Sequence, residues 1–169
     1  ELIDKIKMSV KDLDLFYGDK QALKKINMDI KENKVTALIG PSGCGKSTFI
    51  RTLNRMNDLI EDVTIKGNIS VDGEDIYTSD DVINLRTKVG MVFQESRLMP
   101  WLNVSENILL HTEKDNRNKV DLDKYLKMMK LEKFKNSYPN ELSGGMAHRV
   151  SIARALSFNP DILLMDEPF

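Results

Sequence analysis

Residues 40–48, "GPSGCGKST", decide the fold of this chain. They have the form G-x-x-x-x-G-K-[ST] and lie between the apolar run "VTALI" at 35–39 and a helical pattern from about residue 46 to 57. A glycine-rich turn between a buried strand and a helix points its backbone N–H groups inward, at phosphate oxygens. The positive N-terminal end of the helix adds to the attraction. We therefore predict a phosphate loop that binds a nucleoside triphosphate, and the strand and helix around it disfavour a turn without a ligand.

The residue types within the loop predict how it holds the nucleotide. Lys46 is long enough to reach the β- and γ-phosphates, and Ser47 supplies a hydroxyl to Mg²⁺. Cys44 is interpreted as a small filler residue of the loop and not as a redox group. The residues predicted to line the nucleotide are Gly40, Pro41, Ser42, Gly43, Cys44, Gly45, Lys46, Ser47 and Thr48.

The composition is that of a single folded domain. The chain has 169 residues, of which 41% are hydrophobic and 30% charged, with a formal net charge of −1. This balance disfavours nucleic acid as a partner, and a single cysteine cannot form an internal disulfide. No apolar run approaches the ~20 residues of a membrane span. The start, "ELIDKIKMSV", lacks both a signal-peptide pattern and an initiator methionine, so we expect a cytoplasmic protein with a cut or processed end.

Residues 5–94 carry strand patterns. Polar and apolar residues alternate in 5–17 and 22–31, which predicts two strands with one buried face each. The continuous apolar run at 35–39 predicts a strand covered on both faces, as in a parallel sheet. Further strands are predicted in 66–77, with a turn at Asp72 and Gly73, and in 88–94, with a short helix between them at 80–87.

The pattern changes to helical spacing after residue 95. Helices are predicted in 104–110, 120–134 and 143–158, the last with Ser143 as its N-cap. Asn159-Pro160 ends that helix, and a final strand follows. We therefore divide one α/β domain into a nucleotide-binding core with a β portion (1–94 and 158–169) and a helical subdomain (95–157).

Two further motifs suggest how the phosphate loop is used. Asp166 follows the apolar run "DILLM", in position to hold Mg²⁺, and the adjacent Glu167 can polarise a water for attack on the γ-phosphate. A solvated turn is the alternative for such an acid pair. In "LSGGM" (142–146), Ser143 caps a helix while Gly144 and Gly145 expose backbone N–H groups, which predicts a second anion site.

The motifs "GPSGCGKST", "VFQ" (92–94), "LSGGM" and "LLMDEP" (163–168), in that order, resemble the nucleotide-binding domain of ABC transporters. The resemblance covers essentially the whole chain. It implies a P-loop NTPase (RecA-like) α/β core with an N-terminal antiparallel β portion and a helical subdomain. It also implies ATP and Mg²⁺ as cofactors, and a head-to-tail pair of domains closed on two ATP molecules.

The resemblance also assigns roles to single residues. Tyr17 would stack on adenine, with a surface aromatic on a strand as the alternative. Gln94 would contact Mg²⁺ or the attacking water and relay the nucleotide state to a membrane subunit. Ser143 and Gly145, with Gly144 between them, would meet the γ-phosphate bound by the opposite chain. The implied catalytic residues are Lys46, Gln94 and Glu167, and the implied metal ligands are Ser47, Gln94 and Asp166.

Two positions depart from the family pattern. Met146 and His148 stand where Gln is common. His148, like His111, is expected to be a solvated helix residue and not a ligand.

The two halves of the chain resemble different importers. Residues 16–60 are similar to bacterial phosphate importers, whereas 92–108 and 138–169 are similar to the nitrate, sulfonate and taurine group. Both imply an ATPase that powers oxyanion import from the inner face of the membrane, bound to a permease and never touching the cargo. A non-transport ABC ATPase is less favoured, because no long coiled coil separates Lys46 from Ser143.

The resemblance finally raises an expectation about the end of the chain. The family pattern continues beyond the acid pair with a loop that contacts the partner, then a strand ending in a histidine. That strand would lie between the phosphate-loop strand and the one ending in Asp166. We therefore expect the full-length parent to hydrolyse ATP, and these 169 residues alone to bind nucleotide without effective hydrolysis.

Overall fold

The computed structural model describes residues 5–78, 80–112 and 120–167, and it forms two compact units, Glu1–Leu85 and Arg86–Phe169. Pro168 of "LLMDEP" lies outside the described residues. The strands are β1 (Ile6–Tyr17), β2 (Lys20–Lys31), β3 (Val63–Val71), β4 (Glu74–Asp75), β5 (Val89–Val92) and β6 (Ile162–Met165). The helices are α1 (Lys46–Thr52), α2 (Val82–Lys88), α3 (Val104–Ile108), α4 (Leu122–Met128) and α5 (Gly144–Ser157), with short 3₁₀ turns at Met56–Leu59, Glu132–Phe134 and Pro139–Glu141. None of the helices in these ranges has the length and hydropathy of a membrane span.

The first unit is built on an antiparallel sheet, as the resemblance implies. Its strand order is β2-β1-β3-β4, and the turn between β3 and β4 falls at Asp72 and Gly73. The buried face of β1 consists of Met8, Val10, Leu13 and Leu15. The β portion of the sequence prediction is therefore confirmed.

The spacing of those four buried residues requires an irregularity in β1. Strict alternation from Val10 would turn Leu13 to the other face of the sheet. A β-bulge at Asp12 (φ 46°) inserts one extra residue against both neighbours, so that Leu13 and Leu15 return to the buried face. The side-chain carbonyl of Asn27 accepts from the Asp12 backbone N–H at 3.0 Å and helps to hold the bulge.

Opposite the bulge, the chain uses a glycine. Gly67 has φ +103°, and a Cβ placed on it would lie 2.4 Å from the Asp12 carbonyl oxygen. Only a residue without a side chain fits this position without moving the backbone.

The prediction of a buried strand at 35–39 is wrong in this structure. These residues form neither helix nor strand, and Val35 and Ile39 are 99% and 96% exposed. A strand requires a hydrogen-bonded neighbour, and in the described ranges no strand pairs with this segment. The apolar composition of residues 35–39 does not show whether such a neighbour is present.

The second unit combines a helical cluster with a two-stranded parallel sheet. The cluster that packs α3, α4 and α5 together consists of Val104, Ile108, Leu126, Leu131, Val150 and Ala153. β5 pairs in parallel with β6, placing Val92 opposite Met165. The predicted helices and the final strand are present. The division at residues 94/95 and 157/158 remains a prediction.

The two histidines are less exposed than the sequence suggests. The ring of His111 stacks on Phe158 with 3.5 Å between centroids, and burial lowers the pKa of the imidazole. His148 is partly buried in α5, and its Nε2 has no hydrogen-bond partner. The expectation of solvated histidines is wrong, because both residues are partly buried.

Candidate functional site

The phosphate loop leads directly into α1. Gly43 and Gly45 both have positive φ, 78° and 97°, and the N–H of Phe49 donates to the Gly45 carbonyl at 2.8 Å to begin the helix. A Cβ on Gly45 would lie 3.1 Å from Leu23 Cδ2 and 3.3 Å from the Ala22 carbonyl oxygen of β2. Glycine is therefore needed here for both the backbone angle and the close approach to the sheet.

The side chain of Lys46 binds backbone carbonyls of its own loop. Its Nζ donates to the carbonyl oxygens of Gly40 at 2.7 Å and Pro41 at 2.9 Å. Residues 40–44 are exposed, so this ammonium lies at an accessible loop. An arriving phosphate competes for the same ammonium with full negative charge, which makes the stronger hydrogen bonds.

Cys44 contributes an exposed thiol to the same loop. Its sulfur lies 3.7 Å from Lys46 Nζ, and a Cβ on Gly40 would approach it to 2.8 Å. The cysteine thus packs against Gly40 within the loop.

Tyr17 reaches the loop from the end of β1. Its hydroxyl donates to Thr48 Oγ1 at 3.5 Å. The structure therefore brings the predicted adenine-stacking residue to the last residue of the phosphate loop, while the stacking itself stays a prediction.

Asn57, which the sequence patterns did not single out, anchors the same helix. It is fully buried, and its Nδ2 donates to the Thr48 carbonyl at 2.9 Å and to Thr52 Oγ1 at 2.7 Å. A polar residue just after an apolar helical run, followed by a 3₁₀ turn, is the only signal that could have suggested this role.

We expect Asn57→Ala to lower the free energy of unfolding by about 1–3 kcal/mol, because the buried Thr52 hydroxyl loses its donor and the Thr48 carbonyl loses one of two. Chemical denaturation measures this directly. Asn84→Ala on the exposed side of α2 is the matched control, with an expected change within about 0.5 kcal/mol. Equal effects of the two substitutions would contradict the anchoring role.

Gln94 and Asp166 lie at the same end of the parallel sheet. β5 ends at Val92, two residues before Gln94, and the N–H of Asp166 donates to the Val92 carbonyl at 3.0 Å. Asp166 is 3% exposed, whereas Gln94 and Glu167 are exposed. Carboxylate and amide oxygens are ligands that Mg²⁺ prefers, and the hydroxyl predicted for the same ion, that of Ser47, is likewise an oxygen donor.

No group of three or more His, Cys, Asp or Glu side chains placed to hold a metal occurs in the described ranges. Mg²⁺ does not need one, since it is usually held by one or two carboxylates together with substrate phosphates and water. The predicted donor set fits this ion.

The motif "LSGGM" (142–146), called the signature motif below, leads into α5 as predicted. Ser143 is the N-cap and its hydroxyl oxygen accepts from the N–H of Met146 at 3.3 Å, while Gly144 and Gly145 are exposed in the first turn. This 14-residue helix presents free N–H groups to solvent at its N-terminal end.

The predicted site residues thus form one group in the first unit and two in the second. Tyr17 lies beside the phosphate loop in the first unit; Gln94, Asp166 and Glu167 share a sheet end in the second, where Ser143–Gly145 begin α5. Besides Asn57, the sequence patterns missed Arg154 and Asn107, which bind the backbone on the C-terminal side of Gln94.

A protein-family model described as "ABC transporter" matches residues 23–169. The fold is similar to cbiO1 from Clostridium perfringens, part of the ABC transporter complex cbiONQ, with 31% sequence identity and a TM-score of 0.81 over 96% of this chain and 66% of that one.

Two further solved structures are similar. One is the ATP-binding cassette MJ0796, in a dimeric post-hydrolysis state bound to ADP and Pi: 35% identity, TM-score 0.78, 95% of this chain and 74% of that one. The other is a bacterial Atm1-family ABC exporter with ATP bound: 29% identity, TM-score 0.80, 99% of this chain and 30% of that one.

The P-loop NTPase fold of ABC ATPases, inferred from the motifs, is thereby confirmed. The chain spans 66% of the cbiO1 protein, just under two thirds of its length. ABC ATPase domains bind ATP with Mg²⁺, the cofactor pair expected from the loop and the acid pair. This chain belongs to the ABC transporter family, as an ATP-binding domain.

Proposed function

We propose that the protein is the ATP-binding and ATP-hydrolysing component of an ABC importer. The observation that supports the proposal is the occurrence of two exposed glycine-containing segments in one chain, the loop that contains Lys46 and the Ser143-capped start of α5, each of which is suited to binding an anion. A general P-loop NTPase needs only the first of these.

Different residues of the chain are proposed to bind the phosphates, hold Mg²⁺ and activate the water. Lys46 exchanges its bonds to the loop carbonyls for bonds to the β- and γ-phosphates. Ser47, Gln94 and Asp166 would hold Mg²⁺, which when bound neutralises charge on the β- and γ-phosphate oxygens. Glu167, exposed next to Asp166, orients the attacking water and accepts its proton.

A second copy of such a domain is the proposed partner at α5. Gly144 and Gly145 are exposed, so their N–H groups can face a γ-phosphate bound elsewhere. The MJ0796 cassette, to which this chain is 36% identical in another solved structure, is dimeric. A head-to-tail pair would place each phosphate loop opposite a signature helix.

A membrane permease is the other proposed partner, with the protein peripheral to the inner membrane face. The segment after Gln94 carries Trp101, which is 70% exposed. A large exposed aromatic side chain is suited to a protein interface. Cargo of the oxyanion class, either phosphate or the nitrate, sulfonate and taurine group, is proposed from the sequence resemblance alone.

A nucleotide-binding chain without effective hydrolysis is the second candidate function. It is favoured by the segment 35–39, which leads into the phosphate loop outside any described sheet. A loop that is not held by a paired strand is less well preorganised, and phosphoryl transfer depends chiefly on positioning.

Steady-state ATPase assays, together with calorimetry of Mg-ATP binding, distinguish these functions. If the chain hydrolyses ATP by the proposed route, Glu167→Gln should lower turnover about 100-fold or more. Glu132→Gln, an exposed glutamate elsewhere in the same unit, should leave turnover unchanged.

Binding without turnover would select the second candidate. A chain that binds no Mg-ATP would exclude both functions.

A further inference from the structure

The backbone on the C-terminal side of Gln94 is held by one arginine of the signature helix. Arg154 donates through Nη1 to the Arg97 carbonyl at 3.0 Å and through Nη2 to the Ser96 carbonyl at 3.1 Å. Because the guanidinium is a rigid plane, two bonds from its two terminal nitrogens fix both the distance and the orientation of these successive carbonyls.

The other side of Gln94 is fixed by the same segment. The guanidinium of Arg97 lies over the ring of Phe93, 4.2 Å from its centroid. Phe93 directly precedes Gln94 and follows the last residue of β5. Gln94 therefore lies between the end of β5 and the backbone that Arg154 binds, a contact that we call the clamp. Since the side chain of Gln94 is exposed, the backbone on either side sets its position.

The adjacent part of the loop has a separate anchor. The buried Asn107 binds both backbone groups of Met99, the N–H at 2.8 Å and the carbonyl at 3.1 Å. The same side chain donates to the carbonyls of Leu102 at 2.8 Å and Asn103 at 3.1 Å. Arg154 thus acts on the part nearest Gln94, and Asn107 acts on the part that carries Trp101.

The clamp and the signature motif belong to one helix. Arg154 lies on α5, which begins after Ser143 and is anchored in the helical core by Val150 and Ala153. A helix of 14 residues is a rod about 21 Å long, so a displacement of its start is passed to its last turn.

We propose that Arg154 is a positioning residue that holds Gln94 at the metal end of the β5–β6 sheet and ties it to the helix that begins with the signature motif. The inference rests on the proposed function, in which Gln94 is a ligand of Mg²⁺.

The bond from Arg154 to Ser96 is partly buried and is harder to replace by water than the exposed bond to Arg97. The side chain is partly buried, and desolvation lowers the pKa of its guanidinium. The Ser96 carbonyl is therefore left poorly solvated if it loses this partner.

The test compares nucleotide affinity with and without Mg²⁺, by calorimetry with a non-hydrolysable ATP analogue. Arg154→Met keeps the apolar stem and removes both donors. We expect it to weaken binding in the presence of Mg²⁺ about tenfold, as typical for loss of a residue that orients a metal ligand, and to leave binding in EDTA unchanged.

Arg154→Lys keeps the positive charge but lacks the planar guanidinium. It should weaken nucleotide binding in the presence of Mg²⁺ by a smaller factor than Arg154→Met does. Arg149→Met is the matched control, since Arg149 lies on the same helix and donates to a different carbonyl, that of Met129, at 2.8 Å. It should change neither affinity.

Measurements on Gln94→Ala and on the double variant distinguish failure of the positioning role of Arg154 from failure of the role assigned to Gln94. Gln94→Ala should show the same Mg²⁺-dependent loss, and Arg154→Met combined with it should add nothing further. Equal loss for Arg154→Met in EDTA and in Mg²⁺, or a fully additive double variant, would overturn the positioning role while leaving the proposed function intact. No effect of Gln94→Ala would instead remove the assigned role of Gln94, and the inference with it.

Hydrogen exchange gives a readout independent of nucleotide. Arg154→Met should speed amide exchange in residues 93–97 and leave residues 99–103, which Asn107 holds, unchanged. Unchanged exchange at 93–97 would show that Arg154 does not hold the segment.

Discussion

Lys46→Ala should abolish measurable binding of Mg-ATP. The substitution removes the ammonium that otherwise moves from the carbonyls of Gly40 and Pro41 to the phosphates. Hydrogen bonds to charged groups contribute about 1.5–3 kcal/mol each, so losing two of them lowers the affinity about 100-fold or more. Calorimetric titration of the purified protein with Mg-ATP measures the change.

The control for this prediction is Lys24→Ala, which removes an equal charge from an exposed position on β2. It should leave the affinity unchanged, because an exposed charge away from the loop contributes little to binding in moderate salt. Undiminished affinity of Lys46→Ala would mean that the loop is not the nucleotide site.

Gly67→Ala should lower the free energy of unfolding more than Gly73→Ala, the other glycine-to-alanine substitution. The new Cβ would lie within 2.4–2.7 Å of backbone atoms of Lys11 and Asp12, and alanine also disfavours φ +103°. The strain and the forced backbone shift together amount to about 3 kcal/mol or more, which corresponds to a fall of about 10 °C in Tm.

Gly73→Ala separates the strain of a positive φ from the steric clash of the new Cβ. Gly73 also has positive φ, +85°, but a Cβ there would meet nothing within 4 Å. It should therefore show only the conformational part, about 1 kcal/mol. If thermal unfolding gave the same Tm for both variants, close packing at the bulge would not be the cause.

Elements with a local cause could be predicted from the sequence. Gly45 and Lys46 define the loop by their own backbone and side-chain chemistry, and Ser143 caps α5 through the N–H of Met146 only three residues away. The bulge also left a local signal, since Lys11 and Asp12 are two successive polar residues in an otherwise alternating strand.

Features that depend on distant partners could not be predicted. The apolar run at 35–39 has the composition of a strand, yet a strand exists only where another one pairs with it. The stacking of His111 on Phe158 joins residues far apart in the chain, as does the clamp of Arg154 on Ser96 and Arg97. A side-chain donor bound to a remote carbonyl leaves no periodic trace in the sequence.

The bulge at Asp12 has a consequence for comparing this chain with its relatives. Tyr17 shares a strand face with Met8 and Val10 only because one residue has been added between them, and that face brings its hydroxyl to Thr48. In a relative whose first strand lacks the extra residue, a gapless alignment would match Tyr17 to a neighbour on the opposite face. A gap belongs at Asp12, and deleting that one codon would turn the tyrosine away from the loop while changing none of the motifs.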